Sequence, residues 1–166
     1  MTGLFFCAIV RAMGIAMMRM MMAAALASSG AWTYETARDP LGQSVYVAEI
    51  APDAARPYVA IRLMCGGIAG VVLQVNLGQM QTVAPASGLS FDVGDAPAYS
   101  TAASLAPITD GVGTYEIKGS EAGNVAHLLM QGESVTVHQG EASFTFPLGG
   151  ASLAIGEVIA NCSYKI

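Results

Sequence analysis

From residue 32 onward, short runs of alternating apolar and polar residues are broken every few positions by glycine or proline, a rhythm that favours strands joined by tight turns. Trp32-Thr33-Tyr34-Glu35-Thr36 is the first such run, and Asp39-Pro40-Leu41-Gly42 turns the chain. Ser44–Ile50 alternates again, with Val45, Val47 and Glu49 on one face and Tyr46, Ala48 and Ile50 on the other. Pro52-Asp53 makes a second turn, and Pro57 opens a third strand over Tyr58–Cys65 whose alternation reads as imperfect. Gly66-Gly67 then permits a hairpin into Ile68–Val75, a β-branched run suited to burial on both faces.

Between Asn76 and Asp110 the pattern fades among Pro85, Pro97 and Pro107, and only Leu89–Val93 reads as a strand. Val112–Lys118 gives another. Ala122–Gln131 fits a short helix or a loop. Glu133–His138 and Ala142–Leu148 form a hairpin around Gln139-Gly140-Glu141, and Ser152–Cys162 closes the chain as a helix. In that helix Leu153, Val158, Ile159 and Cys162 are expected to face the sheet. The expected fold is mainly β: an antiparallel β-sandwich or strongly bent sheet with a short C-terminal helix, built as one domain from residue 32 to residue 166.

The first 31 residues differ from the rest. They are rich in methionine, contain no acidic residue, and place Arg19 before the apolar stretch Met20–Ala27 and the small residues Ser28-Ser29-Gly30-Ala31. That is the layout of a cleaved signal peptide, with cut sites after Ala27 or Ala31. Arg11 and Arg19 interrupt the apolar residues, so no uninterrupted segment approaches the ~20 residues a membrane span requires. The expected location is the bacterial periplasm, with no stable membrane anchor once the leader is gone.

Charge narrows the partners. The chain carries 7 Lys and Arg against 12 Asp and Glu, a formal net charge of -5; removing Arg11 and Arg19 with the leader leaves -7. An acidic domain with scattered cations has no footprint for nucleic acid and no polybasic cluster for an anionic bilayer. A protein partner in the periplasm or cell envelope is the expectation that remains.

Chemistry-bearing residues are few. Cys7 leaves with the leader, and the remaining pair, Cys65 and Cys162, reads as a structural disulfide in an exported chain. His127 and His138 each stand alone; His138 is placed at a hairpin tip, and His127 would act as a base only with a serine that no Gly-x-Ser-x-Gly elbow supplies. Asp92 and Asp95 lack the ligand density of a calcium loop. No catalytic, metal or cofactor-binding residue is assigned. The functional expectation is a non-enzymatic binding or secretion-accessory module, with a small hydrolase or a small-ligand sandwich as alternatives.

The order Trp32, Tyr34, Glu35, Asp39-Pro40, Val45-Tyr46-Val47, Arg56-Pro57 and Ile61-Arg62-Leu63-Met64-Cys65 resembles periplasmic accessory proteins associated with type VI secretion. Met64 stands where those relatives often carry arginine. Their C-terminal layout is similar to Leu129-x-x-Gly132-Glu133, Val135-Thr136-Val137, Phe144-x-Phe146-Pro147-Leu148-x-Gly150 and a helix ending at Cys162. That ending also resembles the invasion-associated locus B family. The resemblance implies a β fold, export and the Cys65–Cys162 pair, and it transfers no catalytic residue.

Overall fold

The computed structural model describes residues 30–50, 59–67, 70–78, 88–105 and 113–162. Most of the leader, the Pro52-Asp53 turn and Arg56-Pro57 lie outside the described residues. The first sheet has six strands, β1 (Thr33–Arg38), β2 (Ser44–Ile50), β3 (Val59–Gly66), β4 (Gly70–Leu77), β7 (Ser104–Leu105) and β8 (Tyr115–Lys118). Its order is β1-β2-β3-β4-β8-β7. The second has four, β5 (Leu89–Val93), β6 (Tyr99–Thr101), β9 (Ser134–Gln139) and β10 (Ala142–Pro147), in the order β10-β9-β5-β6. Every pairing is antiparallel. Helices α1 (Ser120–Leu129) and α2 (Ala151–Asn161) complete a mainly β fold with a short C-terminal helix.

Both sheets and both helices contribute to one hydrophobic core. From the six-stranded sheet come Ala48 and Ile50, then Ile61, Leu63 and Cys65, then Leu73 and Val75, then Tyr115 and Ile117. The four-stranded sheet supplies Leu89, Phe91, Val93, Val135, Val137 and Phe146. Each set recurs at every second position because side chains alternate across a strand.

Strand β3 alternates without a break, with Val59, Ile61, Leu63 and Cys65 buried and Ala60, Arg62 and Met64 half-buried. Its sequence looks irregular only because Ala60 and Met64 place apolar side chains on the outward face. Of the Ile68–Val75 reading, residues 68 and 69 lie outside the described residues, and β4 runs on past Val75 to Leu77. It is buried on both faces at Val71–Leu73, whereas Gln74 and Asn76 are half-buried.

Two turns show how local chemistry sets the register. Asp39 Oδ1 accepts from the backbone N–H groups of Leu41 (2.9 Å) and Gln43 (2.7 Å), and Gly42 takes the left-handed φ of 77° that closes the β1–β2 hairpin. At the far end of β3, Gly66 has φ 117°, and a Cβ there would run into the Ser44 carbonyl of β2. Only glycine meets both demands, and it lets β3 turn toward β4 while still opposing Val45.

The ambiguous Ala122–Gln131 segment is helix α1, started by Gly119 at φ 64° with no side-chain cap. It buries Ala122, Val125, Ala126 and Leu129, the i, i+3, i+4, i+7 stripe of an amphipathic helix. Helix α2 needs a correction. Its inward stripe is Ala151, Ala154, Ile155 and Val158, while Leu153 points out and is 74% exposed. Ile159 and Cys162 pack at the margin of the core. Trp32, buried beside this helix start, donates its indole N–H to the Pro147 carbonyl and its backbone N–H to that of Gly149, each at 3.3 Å. The beginning of β1 is thereby tied to the connection between β10 and α2. No helix among the described residues is long and apolar enough to cross a membrane.

Candidate functional site

The core-facing side of β3 ends in Cys65, and the residue that caps α2 is Cys162. The structure joins them, with Cα atoms 5.6 Å apart and 97 positions between them in sequence. This spacing lies within the usual range for a disulfide.

On the outer face of the four-stranded sheet, Ser90 of β5 opposes His138 of β9, which opposes Ser143 of β10. One step along, Asp92 opposes Thr136, which opposes Thr145. His138 Nε2 lies 2.9 Å from Asp92 Oδ2, and the Thr136 and Thr145 hydroxyls share a hydrogen bond of 2.9 Å. His138 is therefore not a free side chain at a hairpin tip. It lies on β9, 40% exposed, against a carboxylate 46 positions away in sequence. Asp95 sits in the turn after β5, and no three metal-ligating side chains cluster among the described residues. His127 is exposed on the last turn of α1, and no described hydroxyl bonds to it.

The outer face of the six-stranded sheet is more extensive. One row crosses all six strands: Thr33, Glu49, Arg62, Gln74, Glu116 and Ser104. Arg62 donates from Nε (3.0 Å) and Nη2 (2.8 Å) to Glu49 Oε2. Gln74 donates to Glu116 Oε1 at 3.0 Å, and Lys118 Nζ lies 2.9 Å from Glu116 Oε2. Beside this row runs another, Glu35, Val47, Met64, Val72 and Lys118, in which Val47 and Val72 are buried. In the sequence Arg62 is one residue of an irregularly alternating strand. Its partner Glu49 follows from the β2–β3 register, which sequence spacing does not supply.

Burial pushes the Glu116 carboxyl up, but hydrogen bonds from Lys118 and Gln74 and the charge of Lys118 outweigh it and hold the group below its ordinary value. A depressed carboxylate stabilises the fold above its unfolded pKa of ~4.3, and that contribution disappears as pH falls through the lower folded value. Glu116→Gln is therefore expected to cost up to ~1 kcal/mol at neutral pH. The cost vanishes once the acid side of this window is passed. Urea titrations of both proteins from neutral to acid pH check it, and a difference independent of pH would contradict the assignment.

These features define a class: a mainly β domain of two antiparallel sheets, with a disulfide tying the terminal helix to β3 and polar outer faces. In structure it is similar to invasion associated protein b from Bartonella henselae, with a TM-score of 0.53 and 17% sequence identity over 80% of this chain and 93% of that one. At that identity the likeness concerns the fold, and it agrees with the locus B resemblance of the C-terminal strands and helix. No family model matches the chain, and no curated protein does.

Proposed function

We propose that this chain is an exported periplasmic domain that acts as a non-enzymatic binding or secretion-accessory module for a protein of the cell envelope. The observation that carries the reading is the polar row across the six-stranded sheet. Six strands at the usual spacing make a surface roughly 24 Å wide from β1 to β7. The ion pairs on it are matched within the row or by the adjacent Lys118, so docking need not bury an unpaired charge. Met64, half-buried beside Arg62, adds an adaptable apolar contact. A pre-paired surface of this kind suits a protein face better than a small ligand.

The Cys65–Cys162 bridge favours an oxidising compartment, and the leader composition supports export. The fold is shared with a protein described as invasion associated. The resemblance of residues 32–65 to type VI secretion accessory proteins supports a partner in a secretion assembly.

A second reading, a small hydrolase, is favoured by one observation: Ser90, His138 and Asp92 share one sheet face. One experiment addresses both. A photo-crosslinking residue replacing Gln74 is expected to capture one envelope protein in cells, and Arg62→Glu, which repels Glu49, is expected to abolish the product. Absence of any crosslink, together with serine-hydrolase probe labelling at Ser90 that His138→Ala removes, would replace the binding reading with the enzymatic one.

A further inference from the structure

Strand β1 is the outer strand of the six-stranded sheet, and among the described residues it pairs with β2 alone. Its register runs unbroken from Thr33 to Arg38, with no bulge to turn the edge away, and Thr33–Thr36 are all exposed. The hairpin turn shows which backbone groups face outward. The Asp39 N–H donates to the Gln43 carbonyl at 3.0 Å, and the Asp39 carbonyl accepts from the Gly42 N–H at 2.9 Å. Asp39 thus faces β2. Because the pleat alternates, Ala37, Glu35 and Thr33 face β2 as well, while Arg38, Thr36 and Tyr34 turn their N–H and C=O groups away. Trp32 agrees with this phase, since its N–H leaves the β1–β2 ladder for the Gly149 carbonyl.

We propose that this edge pairs with the same edge of a second copy of the chain, antiparallel about a two-fold axis at Thr36. An isologous contact of this kind closes as a dimer. Its register follows from the residues. A sheet continuous across the two copies keeps its faces, so the axis must pass through a residue of β1. With the axis at Thr36, Thr36 opposes Thr36 and each Tyr34 opposes the Arg38 of the other copy. All three outward residues of each copy are then used, every opposed pair exchanging two backbone hydrogen bonds. An axis at Glu35 or Ala37 leaves one outward residue of each copy unused. The first also sets Glu35 against Glu35, and the second sets Glu35 against Asp39, and like charges directly opposed are unfavourable. The Thr36 register instead sets Glu35 opposite Ala37. It also gives Tyr34, one of three exposed large hydrophobics among the described residues, a guanidinium partner in Arg38.

Thr36→Pro tests the pairing, because it deletes an outward N–H while the β1–β2 ladder keeps its bonds, and proline is tolerated on edge strands. Thr36→Lys is the companion variant: it keeps the N–H and sets two ammonium groups face to face at the axis. Sedimentation velocity of the purified protein over a concentration series is expected to show a reversible dimer. Each variant should raise the dissociation constant at least tenfold, with the near-ultraviolet circular dichroism of the monomer unchanged. If Thr36→Pro does not fold, Thr36→Lys alone decides. A protein that stays monomeric at every concentration, or foldable variants that dimerise like the parent, would overturn the proposal.

Discussion

Replacing both Cys65 and Cys162 with alanine is expected to lower the melting temperature by roughly 15 °C. Closing a loop of 97 positions removes about 4–5 kcal/mol of chain entropy from the unfolded state. A domain of this size loses roughly 3–5 °C per kcal/mol. The folded state shows why so much rests on one bond. Two of the four buried residues of α2 are alanines, so Ile155 and Val158 supply most of its apolar anchorage. Trp32 and Gly149 hold the N-terminal end of the helix, and the disulfide holds the other. Without the bridge, α2 should become the first segment cut by protease. Reduction of the parent protein should reproduce the shift without any substitution. Two alkylated thiols in unreduced protein, or a melting temperature indifferent to reductant, would remove both the bridge and its support for an oxidising compartment.

What could be read from the sequence divides along the range of the interactions. Strands β2, β5, β9 and β10 were legible because alternation and turn residues are local. Strand β3 was legible in extent but not in phase, since the outward Ala60 and Met64 look like core residues in one dimension. Strands β6 and β7, of 3 and 2 residues, are too short to show a period, and only pairing with β5 and β8 makes them strands. Helix α1 lacked the signals that announce a helix, because Gly119 offers no capping side chain and Gly123 interrupts its sequence. In α2 the inward face was legible in part: Val158 is buried and Ile159 and Cys162 pack against the core, but Leu153 does not. Ala151 and Ala154 lie under the helix, and the larger Leu153 masks them in the sequence. The Asp92–His138 pair was missed for a different reason. It needs β5 beside β9, a neighbour relation between strands separated by β6, β7, β8 and α1, and nothing in the spacing of the two residues encodes it.

The two faces of β10 give the sharpest contrast expected from single substitutions. Phe146 is fully buried and lies in one cross-strand row with Val135 and Val93 on the inner face of the four-stranded sheet. Thr145, its neighbour, is exposed on the other face and shares one hydrogen bond with Thr136. Truncating a buried phenylalanine removes its transfer free energy and leaves a cavity that a β-sheet closes poorly, so Phe146→Ala is expected to cost about 3–5 kcal/mol. Thr145→Ala gives up one exposed hydrogen bond and should cost less than about 1 kcal/mol. β10 is also an outer strand, ending in Pro147, and pairs among the described residues with β9 alone. Its place in the sheet thus depends on inward packing as well as on one hydrogen-bonded ladder, which puts Phe146→Ala near the stability limit of a domain with ~5–15 kcal/mol in total. Denaturant midpoints of the two variants, measured side by side, decide the matter. Equal losses would mean that β10 does not present Phe144 and Phe146 to the core, and the sandwich would have to be rebuilt around a different register.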